Sequence, residues 1–364
     1  NLPLTTMLLE LSHIIQQISE QLGTRAHCVK IASIRHGSLE RNNVFRLTVG
    51  GQIYLLKQHF IVHSIGESAF NPFQIETSIL SILQEARCSV PRIVWKSEPD
   101  GCLLLDWCGE STLDDLAQTE PIKSLKRVTA NAVGEFCLIE KGFNAYADVI
   151  KPYVYPLVYP AFLSQTMQRM LDQGRETMSY LAHLDRGPIS PMQEATLDES
   201  WTHVSEHLRT APSTLGTLDY NARNIVVNGQ KTNFVDFGSV GWDWSERRLL
   251  QSFNSLGANR AGGNFVDLLD REMVGEYASQ AARYRAGCSE AEIKAHVDYH
   301  SILFYLSTIH RLLAAISQPE RAENKHLLNA WGDAEARLQR ALDILVHSQL
   351  SDDSHARRIR ELAG

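Results

Sequence analysis

The stretch Thr217 to Gly238, TLDYNARNIVVNGQKTNFVDFG, constrains this chain more than any other. It reads as a loop, a short strand, a turn, a second strand and a carboxylate at that strand's end. Ile225, Val226 and Val227 are strand formers, Asn228-Gly229 is a strong hairpin turn, and Asn233 to Val235 runs back. Asp219, Asn224 and Asp236 then stand at the ends of one ribbon, where their side chains can converge. Two carboxylates and a carboxamide beside a hairpin suit a hard cation, and Mg²⁺ with a bound nucleotide is the usual occupant.

A chain of 364 residues is longer than one hydrophobic core ordinarily serves. Two lobes are therefore expected, with a site between them. An apolar fraction of 44% and a charged fraction of 21% are those of an ordinary globular protein. The net charge of −7 argues against nucleic acid as a partner, because phosphate binding needs clustered Lys and Arg. The six cysteines show neither a CxxC pair nor zinc-ligand spacing, and their scatter through apolar stretches predicts reduced core residues in a cytoplasmic protein. No signal peptide and no membrane span are expected, since every apolar run is short or interrupted.

The first segment, Thr5 to Leu22, carries Leu8, Leu11, Ile15, Ile18 and Leu22 at helical spacing and predicts an amphipathic helix packed on the body. From Val29 to Phe60 the pattern is β, with Gly50-Gly51 as a tight hairpin. Ahead of that hairpin lies the polar loop His36 to Asn43, long enough to fold over phosphates, although most hairpin loops have this composition. Lys57 closes the run YLLK, and a lysine there is ordinarily a solvated strand end. Pro72 to Arg87 is helical; Glu76 near its start suits the helix dipole, or alternatively holds Lys57 in an ion pair. Pro91 to Trp95 and Cys102 to Trp107 predict a further strand pair, then a connector with Ser111 as N-cap of the next helix. That connector is either a plain strand-to-helix link or a hinge whose backbone meets a purine edge.

Beyond Pro121 the periodicity is helical over Leu125 to Lys141, Phe162 to Leu184 and Met192 to Thr210. Between the first two, Tyr153, Tyr155 and Tyr159 alternate with prolines, as an aromatic packing corner or as a wall for substrate or peptide. Helices dominate again after Gly241. The order predicts an α+β protein: a β-rich N-terminal lobe over residues 1–107 and a mostly helical C-terminal lobe over 108–364, interrupted by the ribbon.

In that order the pieces resemble the protein-kinase-like fold, and within it the aminoglycoside phosphotransferase and choline kinase branch. The resemblance is strongest over the ribbon. It implies that Asp219 is the catalytic aspartate, that Asn224 is a metal ligand, and that Asp236, in the triplet with Phe237 and Gly238, is the second metal ligand. It implies that Lys57 meets the α- and β-phosphates, that Glu76 orients Lys57, that Asp106 and Cys108 grip the base, and that Gly37, Ser38 and Asn42 lie in the phosphate loop. Two departures stand out. Thr217 occupies the place of the family's usual His, and the Ala222-Arg223-Asn224 ending puts an arginine where it reaches the γ-phosphate or a neighbouring carboxylate. A long helical stretch before the ribbon and no Ala-Pro-Glu segment after it match the small-molecule branch.

The expectation is a Mg²⁺-dependent transfer of phosphate from ATP, with GTP as the alternative donor, to a hydroxyl of a small metabolite or antibiotic. Two other readings stay open: transfer to Ser or Thr of a peptide, and a non-catalytic nucleotide-binding regulator. The near charge balance of the helical insert gives no support to a strongly cationic acceptor such as an aminoglycoside. The acceptor and the oligomeric state are not legible in the sequence.

Overall fold

The computed structural model describes residues 4–34, 42–59, 63–65, 68–154, 160–184, 190–254 and 265–364. Helix α1 (Leu4–Gln21) leads into strands β1 (Val29–Ser33), β2 (Asn42–Val49) and β3 (Gln52–His59), paired antiparallel. Gly50 and Gly51 close the second hairpin at φ 57° and 86°, a left-handed pair that glycine adopts without strain. A small ribbon of β4 (His63–Ile65) and β5 (Ser68–Phe70) precedes α2 (Pro72–Glu85), whose first turn is capped by the Asn71 side chain. Strands β6 (Ile93–Ser97) and β7 (Cys102–Asp106) then complete one five-stranded sheet of order β1-β2-β3-β7-β6.

The period of two decides what each face of that sheet meets. Leu56 and Leu104 join Phe45, Leu47 and Cys102 against Ile14 and Ile18 of α1, so the first helix packs on the body as its pattern predicts. On the other face, Leu103 and Leu105 join Ile75, Ile79 and Leu83 of α2. Lys57 pairs with Leu103 and shares this second face. It is 4% exposed, which corrects the reading of a solvated strand end. The strand runs two residues further, to His59, and β3 lies between two partners rather than at an edge.

The chain leaves the sheet through Trp107 to Glu110. Ser111 and Thr112 form a short strand, β8, against Val226 and Val227. Thr112, rather than Ser111, caps α3 (Leu113–Thr119), in a reciprocal box with Asp115. Helices α4 (Ile122–Ala145), α5 (Ala147–Ile150), α6 (Pro160–Leu184) and α7 (Pro191–Thr210) follow. Tyr153 packs on the core beside α4, whereas Tyr155 and Tyr159 lie outside the described residues.

Strands β9 (Thr214–Thr217), β10 (Ile225–Asn228), β11 (Lys231–Phe234) and β12 (Val240–Asp243) carry the ribbon. Its turn is Gly229-Gln230, because Asn228 still pairs with Lys231, so the expected Asn228-Gly229 turn is displaced by one residue. Helices α8 (Ser245–Asn254), α9 (Arg271–Tyr284), α10 (Glu290–Ser317), α11 (Ala322–Trp331), α12 (Ala334–His347) and α13 (Ser354–Ala363) complete the chain. The expected α+β architecture, a β-rich N-terminal part and a helical C-terminal part, is what forms. One core joins the sheet, α2, α4 and the ribbon; a second joins α6, α7, α10, α12 and α13. Cys88, Cys102 and Cys137 are buried, but Cys28 is exposed and Cys108 and Cys288 are half-buried, so the expectation of core cysteines holds for only part of the set. Among the described residues no helix is long and apolar enough to cross a membrane.

Candidate active site

The site begins with one buried ammonium. Lys57 Nζ lies 2.7 Å from Glu76 Oε2 and donates to Asp236 Oδ1 at 2.6 Å. Burial penalises the charge, but the Asp236 and Glu76 carboxylates outweigh it and hold the ammonium's pKa above its ordinary value. Burial would likewise raise Glu76, yet Lys57, then His59, pull it down to about 2. Glu76 therefore makes the ion pair that was one of its two readings. His59, two residues past Lys57 on the same strand face, places Nε2 2.9 Å from the same Glu76 oxygen.

Asp236 sits at the end of β11 with φ 70°, in the left-handed region that only glycine enters freely. Such a conformation costs on the order of 1–3 kcal/mol and is held where the surroundings over-determine it. Here Phe237 is buried 1% exposed beside Phe143, and Lys57 holds the carboxylate. Val235 N donates to Asn224 O, so Asn224 and Asp236 stand on adjoining backbone. The Asn224 side chain, 5% exposed, donates through Nδ2 to Asp219 O at 2.9 Å, which leaves its Oδ1 as the acceptor.

Asp219 is exposed at the end of the loop that follows β9. Two bonds to one carbonyl fix that loop: Leu218 N and Thr217 Oγ1 both donate to Ser239 O at 3.1 Å. Asp219 N also donates to Thr217 Oγ1 at 3.4 Å. Thr217 thus supplies loop support through its hydroxyl. Arg223 Nε lies 3.6 Å from the carboxylate of Asp114, itself 2% exposed, so it has a neighbouring carboxylate of the kind expected for it.

Lys57, Glu76, Asn224, Arg223 and Asp236 line one cleft with Asp106 and Cys108 of the connector. Its apolar walls are Val44, Leu55 and Leu105 from the sheet and Val226 and Val235 from the ribbon. The Asp106 N–H donates to Arg92 O, so that donor is already used; its carboxylate meets Arg92 Nε at 3.0 Å. Gly37 and Ser38 lie outside the described residues. The backbone of Asn42 opens β2, paired with His59, which is as much as the structure describes of it.

A divalent cation fits the donors present. Among the described residues no group of three or more His, Cys, Asp or Glu is placed to hold a metal by itself. Mg²⁺ seldom takes such a cage; one or two protein oxygens with substrate phosphates and waters complete its octahedron. The Asp236 carboxylate and the Asn224 amide oxygen are donors of the type such a partial shell uses.

Sequence reasoning missed the support beneath the loop. Arg248 of α8 donates through Nε and Nη2 to Glu140 of α4, at 3.1 and 2.6 Å, and through Nη1 to Thr214 O. Tyr220, next to Asp219, donates its hydroxyl to the same Glu140 at 2.7 Å. A Cβ on Gly216 would lie 2.6 Å from the Arg248 guanidinium, so any larger residue there would push that guanidinium off its partners. Arg248 and Glu140 are separated by 108 residues, and no local pattern joins them. His59 and Asp114 were missed for the same reason.

No family model matches the chain, and no curated protein matches it. Among solved structures it is similar to a Plasmodium vivax ethanolamine kinase, at 14% identity, covering 93% of this chain and 88% of that one, with a TM-score of 0.49. It is similar to a choline kinase from Cryptosporidium parvum Iowa II, at 10% identity, 91% and 96% coverage, and a TM-score of 0.49. The aminoglycoside phosphotransferase APH(4)-Ia is a further likeness, at 12% identity, 90% and 98% coverage, and a TM-score of 0.45.

Proposed function

We propose that the chain is a phosphotransferase that moves the γ-phosphoryl group of Mg²⁺-bound ATP, with GTP as the alternative donor, to a hydroxyl of a small molecule. The observation that carries this reading is Lys57, a buried cation shared by a helix carboxylate and the carboxylate that ends the ribbon. Phosphoryl transfer passes through a loose transition state, so fixed charge and positioning do most of the work. Mg²⁺ would supply charge neutralisation on the phosphate oxygens, held by Asp236 and Asn224.

The chain's own residues take the remaining roles. Lys57, held by Glu76, presents positive charge to the α- and β-phosphates. Asp219 orients the acceptor hydroxyl and takes its proton as the bond to phosphorus forms. Arg223 lies at the cleft wall, positioned by Asp114 to meet negative charge on the transferring group. The Asp106 carbonyl and the Cys108 N–H are the groups assigned to the purine edge, between the apolar walls.

A mass-spectrometric screen for phosphate addition to small hydroxyl compounds, with ATP and with GTP, tests the reading. Addition that disappears in Asp219→Asn is the expected result. If Mg-ATP failed to raise the melting temperature of the parent at millimolar concentration, the nucleotide assignment would be wrong.

A further inference from the structure

A second cavity, of about 480 Å³, lies between α6, α8 and α10 and shares no lining residue with the Lys57 cleft. Arg169 of α6, Arg247 of α8 and Arg311 of α10 converge on it, with Gln173, Ser307 and the buried His300 among them. No Asp or Glu lines it, although the chain has 42 acidic residues against 35 Lys and Arg. Arg247 is paired with Asp243, the last residue of β12. Among the described residues neither Arg169 nor Arg311 has a carboxylate within ion-pair distance, and the Arg311 guanidinium lies 5.3 Å from the Trp331 ring centre instead. Arg169 and Gln173 also line an adjoining groove, which they share with Asp172 and Glu176.

Convergence of like charges on one hollow is unfavourable unless something of opposite charge enters it. His300 sharpens the point. Both its ring nitrogens are buried without a hydrogen-bond partner among the described residues, and burial drives its pKa down to about 3, so it stands neutral. A neutral imidazole keeps one N–H to donate. Guanidinium forks match the oxygens of phosphate and carboxylate in geometry as well as charge.

We infer that this cavity binds the phosphate or carboxylate group of a small anionic molecule, with Arg169 and Arg311 as outer clamps and Arg247 as the inner charge. The anion is either part of the acceptor or a separate regulator. Binding itself does not rest on the phosphotransfer reading.

The test is thermal unfolding of the full chain titrated with inorganic phosphate and with citrate, at ionic strength held constant with KCl. The parent is expected to gain stability with at least one anion, and R169Q/R311Q to show at least tenfold weaker apparent affinity. Both side chains are exposed, so the variants should fold, and an unchanged melting shift with Mg-ATP in the other cleft verifies it. In turnover assays, competition between the anion and the acceptor marks the cavity as the acceptor's own anionic pocket. An effect on turnover without competition marks a regulator. No anion-specific gain in the parent, or a gain equal in Arg169→Gln, Arg311→Gln and the double variant, overturns the inference.

Discussion

Lys57 Nζ stands 2.6 Å from Asp236 Oδ1 across a separation of 179 residues, and the same ammonium holds Glu76. One buried cation therefore ties the central strand, α2 and the end of the ribbon together. Lys57→Met leaves Glu76 buried with only His59 beside it. Removing one partner of a buried pair costs about 3–5 kcal/mol. Denaturant unfolding should show a loss in that range, partly recovered in the K57M/E76Q double variant. A loss under about 1 kcal/mol would mean that the carboxylates find other partners.

The depressed Glu76 pKa has a pH signature. Its folded value, about 2, lies below the ordinary 4.5, so the stability it contributes is present above pH 4.5 and is lost as pH falls towards 2. In Glu76→Gln that part of the acid limb should flatten. Stability measured at intervals between pH 5 and pH 2 checks it, and parallel slopes for parent and variant would contradict the assignment.

Asp219 and Asp236 should fail differently. Asp219→Asn is expected to lower turnover by about 10²–10⁴-fold, the range for a positioned base, while the Mg-ATP melting shift persists. Asp236→Asn should lose both, because it removes the carboxylate assigned to the cation. Equal melting shifts in the two variants would contradict this division of roles.

Thr217→Val removes the hydroxyl that bonds Ser239 O and receives Asp219 N. The expected cost is about 1 kcal/mol of stability, the net worth of one such bond, and a several-fold fall in turnover through looser placement of Asp219. Thr217→Ser keeps the hydroxyl and should restore most of both. A loss in Thr217→Ser with none in Thr217→Val would trace the effect to the methyl group instead.

Arg248 is 1% exposed and spreads its donors over Glu140, Thr214 and Leu215. Arg248→Met should destabilise by about 3–5 kcal/mol, since it strands the Glu140 carboxylate. Glu140→Gln alone should cost less, because an amide oxygen still accepts from Tyr220. Calorimetry on the two variants ranks them, and the reverse order would mean that a buried Arg248 guanidinium without its carboxylate costs more than a buried Glu140 carboxylate without its guanidinium.

Much of the candidate site was legible because it is local. Asp219, Asn224 and Asp236 lie within one ribbon, and strand formers around a turn bring them together whatever the rest of the chain does. Even there the turn came one residue later than Asn228-Gly229 suggested, since a ladder pair between Asn228 and Lys231 outweighs turn preference. Lys57 read by itself as a solvated strand end. Its burial depends on β7 pairing along the far side of β3, a partner that no pattern within YLLK announces.

The sequence by itself determined the helices, the hairpins and the carboxylates and amide that could meet a cation, because periodicity, caps and turns act over a few residues. Tertiary structure decided which charges are paired: His59 beside Glu76, Asp114 beside Arg223, Glu140 beneath Arg248, and three arginines around one cavity. Charge pairing depends on distance in space, which falls to a few ångströms only after the sheet, the ribbon and the helices pack. That is why the residues of the candidate site were readable from the chain while their supports were not.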